Sequence, residues 1–200
     1  MNQQTMSVLE AHAPKIFRLL KIESPTVQTV ELLYRASDGS TCAQPRLDAK
    51  SLPLNFDPIG GYFADDKDIV YLSELIGGYN PEIGKYVFKK YTDAEELYLF
   101  VHELRHVWQK TYHYDKYYAT KSFDDNDDSE IDADAFALAF FFSENTTYSH
   151  TDLPVISHVI LGKSLEDGGK RWDKAVQLSK EYRFNSSIKL SEAKNGILRN

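Results

Sequence analysis

The residues with the clearest chemical meaning are consecutive: His102, Glu103, Leu104, Arg105 and His106. Histidines four positions apart on an α-helix share one face, one turn from each other. Two imidazoles so placed can point at one metal ion. Glu103 is one residue on and therefore turned about 100° from His102, which sets its carboxylate beside the ion and not on it. From there it can take a proton from a water held at the metal while that water attacks a carbonyl. This is the mechanical content of an H-E-x-x-H segment. Three fixed positions also fit a plainer arrangement, a surface helix with two solvated histidines and a Glu103–His106 contact. A third ligand is needed to separate the two.

A catalytic zinc takes three protein ligands and keeps one position for water. Cys42 is the one cysteine in the chain, so a thiolate zinc cluster is excluded and any metal must be held by His, Asp or Glu. Downstream, the segment from Ser129 to Phe140 reads SEIDADAFALAF. Glu130 and Asp134 are again four apart, on one helical face. Glu130 completes a His, His, Glu set. Asp134 sits one turn on, placed to accept the N–H of an imidazole on the side away from the metal, which fixes the ring and raises its basicity. Because the rest of this helix is apolar, carboxylates on its inner face need partners. Asp132 is the nearest competitor for the third ligand, with His113 and Asp128 more distant ones. Glu130 also suits a helix N-terminus for its dipole alone, with Ser129 as N-cap.

Taken together, H-E-x-x-H and a later helix bearing E-x-x-x-D resemble the gluzincin zinc metallopeptidases. The form E-x-x-A-D-x-F-A, at Glu130 to Ala137, looks closer to a compact bacterial and phage branch. That branch includes proteases that cleave repressors of mobile elements and of stress responses. The resemblance spans roughly residues 58–142. It implies Zn2+ held by His102, His106 and Glu130, Glu103 as general base, and Asp134 behind a ligand. It also implies a protein or peptide substrate that pairs with an edge strand, for which Asp68 to Ser73, DIVYLS, is the matching segment. An exposed strand edge is a natural template for a peptide. The competing class is a non-catalytic zinc-binding module of the same fold, acting in protein recognition or regulation. Glu103 argues for the enzyme, since a structural site has no use for that base. A metal-dependent hydrolase acting on something other than a peptide is a third class.

Composition bounds the rest. The 200 residues are 42% hydrophobic and 13% aromatic, enough for a core and unlike a disordered chain. A net charge of −7 argues against nonspecific nucleic-acid binding, which rests on basic surface. The first twenty residues lack the apolar run of a secretory signal, and the longest apolar run, Ala135 to Phe142, is too short to span a bilayer. A cytoplasmic protein with no membrane partner is expected. The acidic run Asp124 to Asp128 suggests calcium only superficially, because the glycine and glutamate that an EF-hand loop requires are replaced by Ser129 and Ala135.

The elements that must position these residues read as an α+β, zincin-like domain over residues 1–200. Its core lies at about 58–142, with residues 1–55 and 145–200 packed on it. A small antiparallel sheet is expected to pack on the H-E-x-x-H helix. Residues 7–21 read as a short helix broken by Pro14, 26–35 as one strand, and 37–58 as loops. A hairpin is expected from Gly60 to Ser73, turning at Asp65 and Asp66, then a loop over 78–92. Thr92 and Glu95 fit a capping box that opens the site helix, running to about Thr111. A buried helix is expected over 129–143. Further helices are expected at 152–163 and at 166–183, the latter with Trp172, Ala175, Val176, Ser179 and Tyr182 on one face. For the donor to the oxyanion, His150 and His158 lead, with Tyr148 and Tyr114 also candidates.

Overall fold

The computed structural model describes residues 3–48, 50–53, 56–117, 128–142 and 169–182. The fold is mixed α+β. Helix α1 (Gln3–Leu20) is followed by β1 (Thr26–Val30), β2 (Leu32–Arg35), β3 (Thr41–Gln44), β4 (Asp57–Ile59), β5 (Gly61–Ala64), β6 (Ile69–Ser73), β7 (Leu75–Asn80) and β8 (Lys85–Lys90). Then come α2 (Asp93–Tyr112), the one-turn α3 (Tyr114–Tyr117), α4 (Asp128–Phe142) and α5 (Gly169–Ser179).

The site helix α2 begins where its caps dictate. Glu95 N–H donates to the Thr92 hydroxyl, and Thr92 N–H donates to the Glu95 carboxylate at 2.6 Å. Both free N–H groups are thereby satisfied. Acidic Asp93, Glu95 and Glu96 in the first turn suit the helix dipole. Leu97, Val101 and Leu104 are fully buried, at the 3.6-residue spacing of a core-facing stripe. Helix α4 is buried almost all round, from Ile131 through Phe141, and packs along α2 on one side and α5 on another. One apolar cluster joins Leu9, Ile16 and Leu20 of α1, Phe63, Val70 and Leu72 of the β5–β6 hairpin, both central helices, and Ala175 and Tyr182. Helix α1 and the segment holding Ala175 and Tyr182 therefore share a core with the site helix. A smaller cluster, Leu32, Tyr34 and Leu52, lies under β2 with Phe56, Tyr86 and Phe88 against it.

Several expectations are corrected. Helix α1 runs unbroken through Pro14. Proline removes one i→i−4 bond, but Pro14 and Glu10, whose carbonyl loses its donor, are both exposed, so water can serve that group. The buried face, Leu9, Ile16 and Leu20, keeps the helix in place. Residues 26–35 are two strands in two sheets, divided at Glu31. The stretch 37–58 contains β3 and the start of β4, antiparallel partners of β2. Residues 78–92, expected as a loop, hold most of an antiparallel hairpin, β7 with β8, closed by a turn in which Gly84 has φ 62°.

The β5–β6 hairpin forms as expected, with Gly61 opposite Leu72 and Ala64 opposite Ile69. Its surroundings differ. Strand β1 pairs in parallel with β6, Thr26 opposite Ile69 and Val30 opposite Ser73, giving the order β1-β6-β5. The sheet on the site helix is thus mixed, not antiparallel throughout. The segment Asp68 to Ser73 is its centre, not its edge. The edge strand beside α2 is β5. A parallel pairing across forty residues leaves no trace in local periodicity, which is why the sequence misplaced the edge. Helix α4 begins at Asp128, one residue before its expected start, and α5 falls inside the expected 166–183. The helix expected at 152–163 lies outside the described residues. No helix among those described is long and apolar enough to cross a membrane.

Candidate metal centre

Helix α2 presents His102 and His106 one turn apart, and α4 crosses against it to bring Glu130 to both. The Nε2 atoms of the histidines are 3.1 Å apart. Glu130 straddles them, with Oε2 3.4 Å from His102 Nε2 and Oε1 3.4 Å from His106 Nε2. These three residues form the metal-ligand group found among the described residues. Two ligands bound at about 2.0–2.2 Å around a tetrahedral zinc lie about 3.3 Å from each other. The nitrogen–nitrogen contact and the two nitrogen–oxygen contacts, one through each Glu130 oxygen, are of that size.

The proton positions make the same demand. Asp134, fully buried, puts Oδ1 2.8 Å from His102 Nδ1. The oxygen lies off the axis of the ring N–H, so the contact is a bent, charge-assisted one. His106 Nδ1 is 2.8 Å from Gln109 Oε1. The Gln109 amide cannot be turned round, because its Nε2 donates to the Ser129 carbonyl at 2.8 Å and to Asp132 Oδ2 at 2.9 Å. Both rings therefore keep their proton on Nδ1 when neutral. Both Nε2 lone pairs would then face each other, which is unfavourable unless a proton or a metal ion sits between them.

Electrostatics agree. Burial disfavours a charge on His102, but Asp134 at its Nδ1, with Glu130 and Glu103 near, outweighs burial and raises the ring to about 10. Burial likewise opposes ionisation of Glu130, yet His106, His102 and Arg171 hold it well below the usual carboxylate range. A setting that draws a proton onto a buried imidazole at neutral pH is one that attracts a divalent cation. The residues present fit zinc: two neutral imidazole nitrogens and a carboxylate are donors that this borderline cation takes.

Each ligand is held from behind. Asp134 accepts from Tyr98 Oη at 3.2 Å and from Arg171 Nε at 2.7 Å, besides His102. Burial and the Asp134 charge push the Tyr98 phenol well above its usual range, so it stays a donor. Arg171 also reaches Glu130 Oε2 through Nη2 at 3.2 Å. Arg171, from α5, was not anticipated. It is thirty-seven residues from Asp134 and has no local signature. Asp132, the expected competitor for the third ligand, points away from the ligand group. It takes the buried Arg105 guanidinium through Nε at 2.7 Å and Nη2 at 3.2 Å, and accepts from the Tyr182 hydroxyl. The Arg105 guanidinium lies 3.4 Å over the Trp108 ring.

Glu103 is buried beside the edge strand. A Cβ built on Gly61 of β5 would lie 2.6 Å from Glu103 Cγ and Oε1, so the strand backbone approaches the Glu103 side chain as closely as an absent side chain allows. His113 caps the end of α2 and packs its ring, tilted, against Trp108 at 4.5 Å between centroids, and Asp128 is the first residue of α4. Neither joins the ligand group. Of the oxyanion candidates, Tyr114 is exposed on α3, while Tyr148, His150 and His158 lie outside the described residues, as do Asp124 to Asp127. Comparison of the chain with protein-family models, with curated proteins and with solved structures finds no match.

Proposed function

We propose that the protein is a zincin-like, zinc-dependent metallopeptidase, hydrolysing a peptide bond with Glu103 as general base. The observation that carries this reading is the convergence of His102 Nε2, His106 Nε2 and the Glu130 carboxylate, with a buried glutamate next in sequence to one ligand. When bound, zinc supplies Lewis acidity, making a water nucleophilic at neutral pH and polarising the scissile carbonyl. His102, His106 and Glu130 would hold the ion. Glu103 takes the proton from the attacking water and later delivers it to the leaving amine. Its burial keeps competing solvent from that carboxylate. The β5 edge supports a peptide as substrate, because it pairs with no strand on its outer side among the described residues and passes directly beside Glu103. An extended chain added there would bring its backbone to the base.

The test begins with elemental analysis of protein purified without an affinity tag, expected to give near one zinc per chain. Turnover is then followed on a fluorogenic peptide pool. Glu103→Gln is expected to keep the zinc and to lose about 10²–10⁴-fold in rate. Retained turnover in that variant sinks the mechanism. Zinc bound by a wild-type protein that cleaves no peptide would favour the non-catalytic module.

A further inference from the structure

The two histidines of the centre are held by different chemistry. His102 is backed by a carboxylate, Asp134. His106 is backed by a neutral amide, Gln109, which lies on the same face of α2 three residues on and is fully buried. A buried amide needs partners at both ends, and Gln109 has them. Its oxygen accepts from His106, and its nitrogen donates to Ser129 O and to Asp132 Oδ2. Asp132 in turn is fixed by Arg105 and Tyr182. A chain of contacts thus runs from His106 through Gln109 to a buried ion pair between α2 and α4 and to the segment after α5.

We infer that Gln109 is the positioning residue for His106, and that its amide, accepting at one end and donating at the other, is what the position requires. A glutamate of the same shape cannot replace it. Its second oxygen would face the Ser129 carbonyl and the Asp132 carboxylate, two acceptors and one of them charged. Methionine fills similar space but offers the ring no acceptor, leaving the Nδ1 proton unpartnered in a buried setting. Methionine thus removes the contact that sets the tautomer and aim of His106, and in glutamate the repulsion at the second oxygen pulls the first out of place. Asparagine is too short by one methylene to span from His106 to Asp132. The role is positional, since Gln109 itself is not among the metal ligands.

This inference rests on the metal reading but not on peptidase activity, and the experiment separates them. Zinc affinity is measured on the full-length protein by competition with a chromophoric chelator, for wild type, Gln109→Glu and Gln109→Met. Cobalt is then substituted for zinc and its visible spectrum recorded. Thermal melts of the metal-free proteins report whether each variant folds. Expected are a zinc affinity about 10–100-fold weaker in both variants, the size found for loss of a ligand's hydrogen-bond partner, and a changed cobalt spectrum in whichever variant melts cooperatively. Wild-type affinity and an unchanged spectrum in either folded variant overturn the inference while leaving the metal centre intact. If wild type itself binds no zinc, the metal reading and this inference fall together. A lowered melting temperature with unchanged zinc affinity shows that Gln109 merely ties α2 to α4, and overturns the positioning role.

Discussion

Gly61→Ala is expected to disable the base without disturbing the ligands. The added Cβ would meet Glu103 Cγ and Oε1 at 2.6 Å and Cδ at 2.9 Å. Carbon atoms in contact settle at about 3.5–4.0 Å, so the carboxylate must withdraw by about 1 Å. The atoms that yield are the far end of a flexible side chain, and Gly61 does not occupy the left-handed backbone region. Folding should therefore be nearly unaffected. A 1 Å misplacement of a catalytic group costs about 10²-fold in rate, and that is the loss expected on the peptide pool, with zinc affinity unchanged. Gly60→Ala is the control. Its Cβ would meet the Leu99 methyl carbons at 2.5 and 2.7 Å and the Tyr91 hydroxyl at 2.9 Å, in packed core. It should cost about 1–3 kcal/mol of stability and leave turnover per folded molecule intact. Wild-type turnover in Gly61→Ala, or zinc lost from it, would refute the placement of Glu103 against the edge strand.

Other outcomes follow from the same contacts. His102 holds a proton up to about pH 10 in the metal-free protein, and zinc must expel it, so zinc affinity should rise about tenfold per pH unit from near neutrality toward that value; a pH-independent affinity in a chelator competition would contradict this. Because the folded-state value is raised, the stability His102 gives the metal-free protein is full below its ordinary 6.5 and is lost as pH climbs through about 10. The rise in melting temperature on adding zinc should grow over that interval, as calorimetry would show. Asp132→Ala strands the Arg105 guanidinium, which is 1% exposed, and should lower stability by about 3–5 kcal/mol in urea denaturation; a loss within error of zero would mean the pair is not buried in solution.

Much of the centre was legible in the chain. The i,i+4 spacing within α2 and again within α4 is a property of helix geometry, so His102 with His106, and Glu130 with Asp134, could be paired before any fold was known. The capping box at Thr92 and Glu95 is equally local, and the helix start followed from it. Gln109 was within reach by the same logic, three residues from His106 on the same face, but read alone it was only a polar residue near a helix end. What decides its role is the direction of its amide, and that is set by Ser129 and Asp132 on another helix.

Other features had no local origin. Which acid of the Glu130–Asp132–Asp134 series meets the histidines depends on the angle at which α4 crosses α2, since successive acids two apart face opposite sides of a helix. The crossing turns Glu130 and Asp134 toward His102 and Asp132 toward Arg105. Arg171 and Tyr182 enter only because α5 packs on α4. The edge strand was assigned to β6 and belongs to β5, because the pairing of β1 with β6 joins segments forty residues apart. The sequence by itself determined the candidate donors, their spacing along each helix and the presence of Glu103 beside them, because a helix repeats every 3.6 residues regardless of what surrounds it. Only the tertiary structure decided which donors converge, which cation neutralises them and which strand borders the base, because those depend on burial and on contacts between segments that share no local pattern.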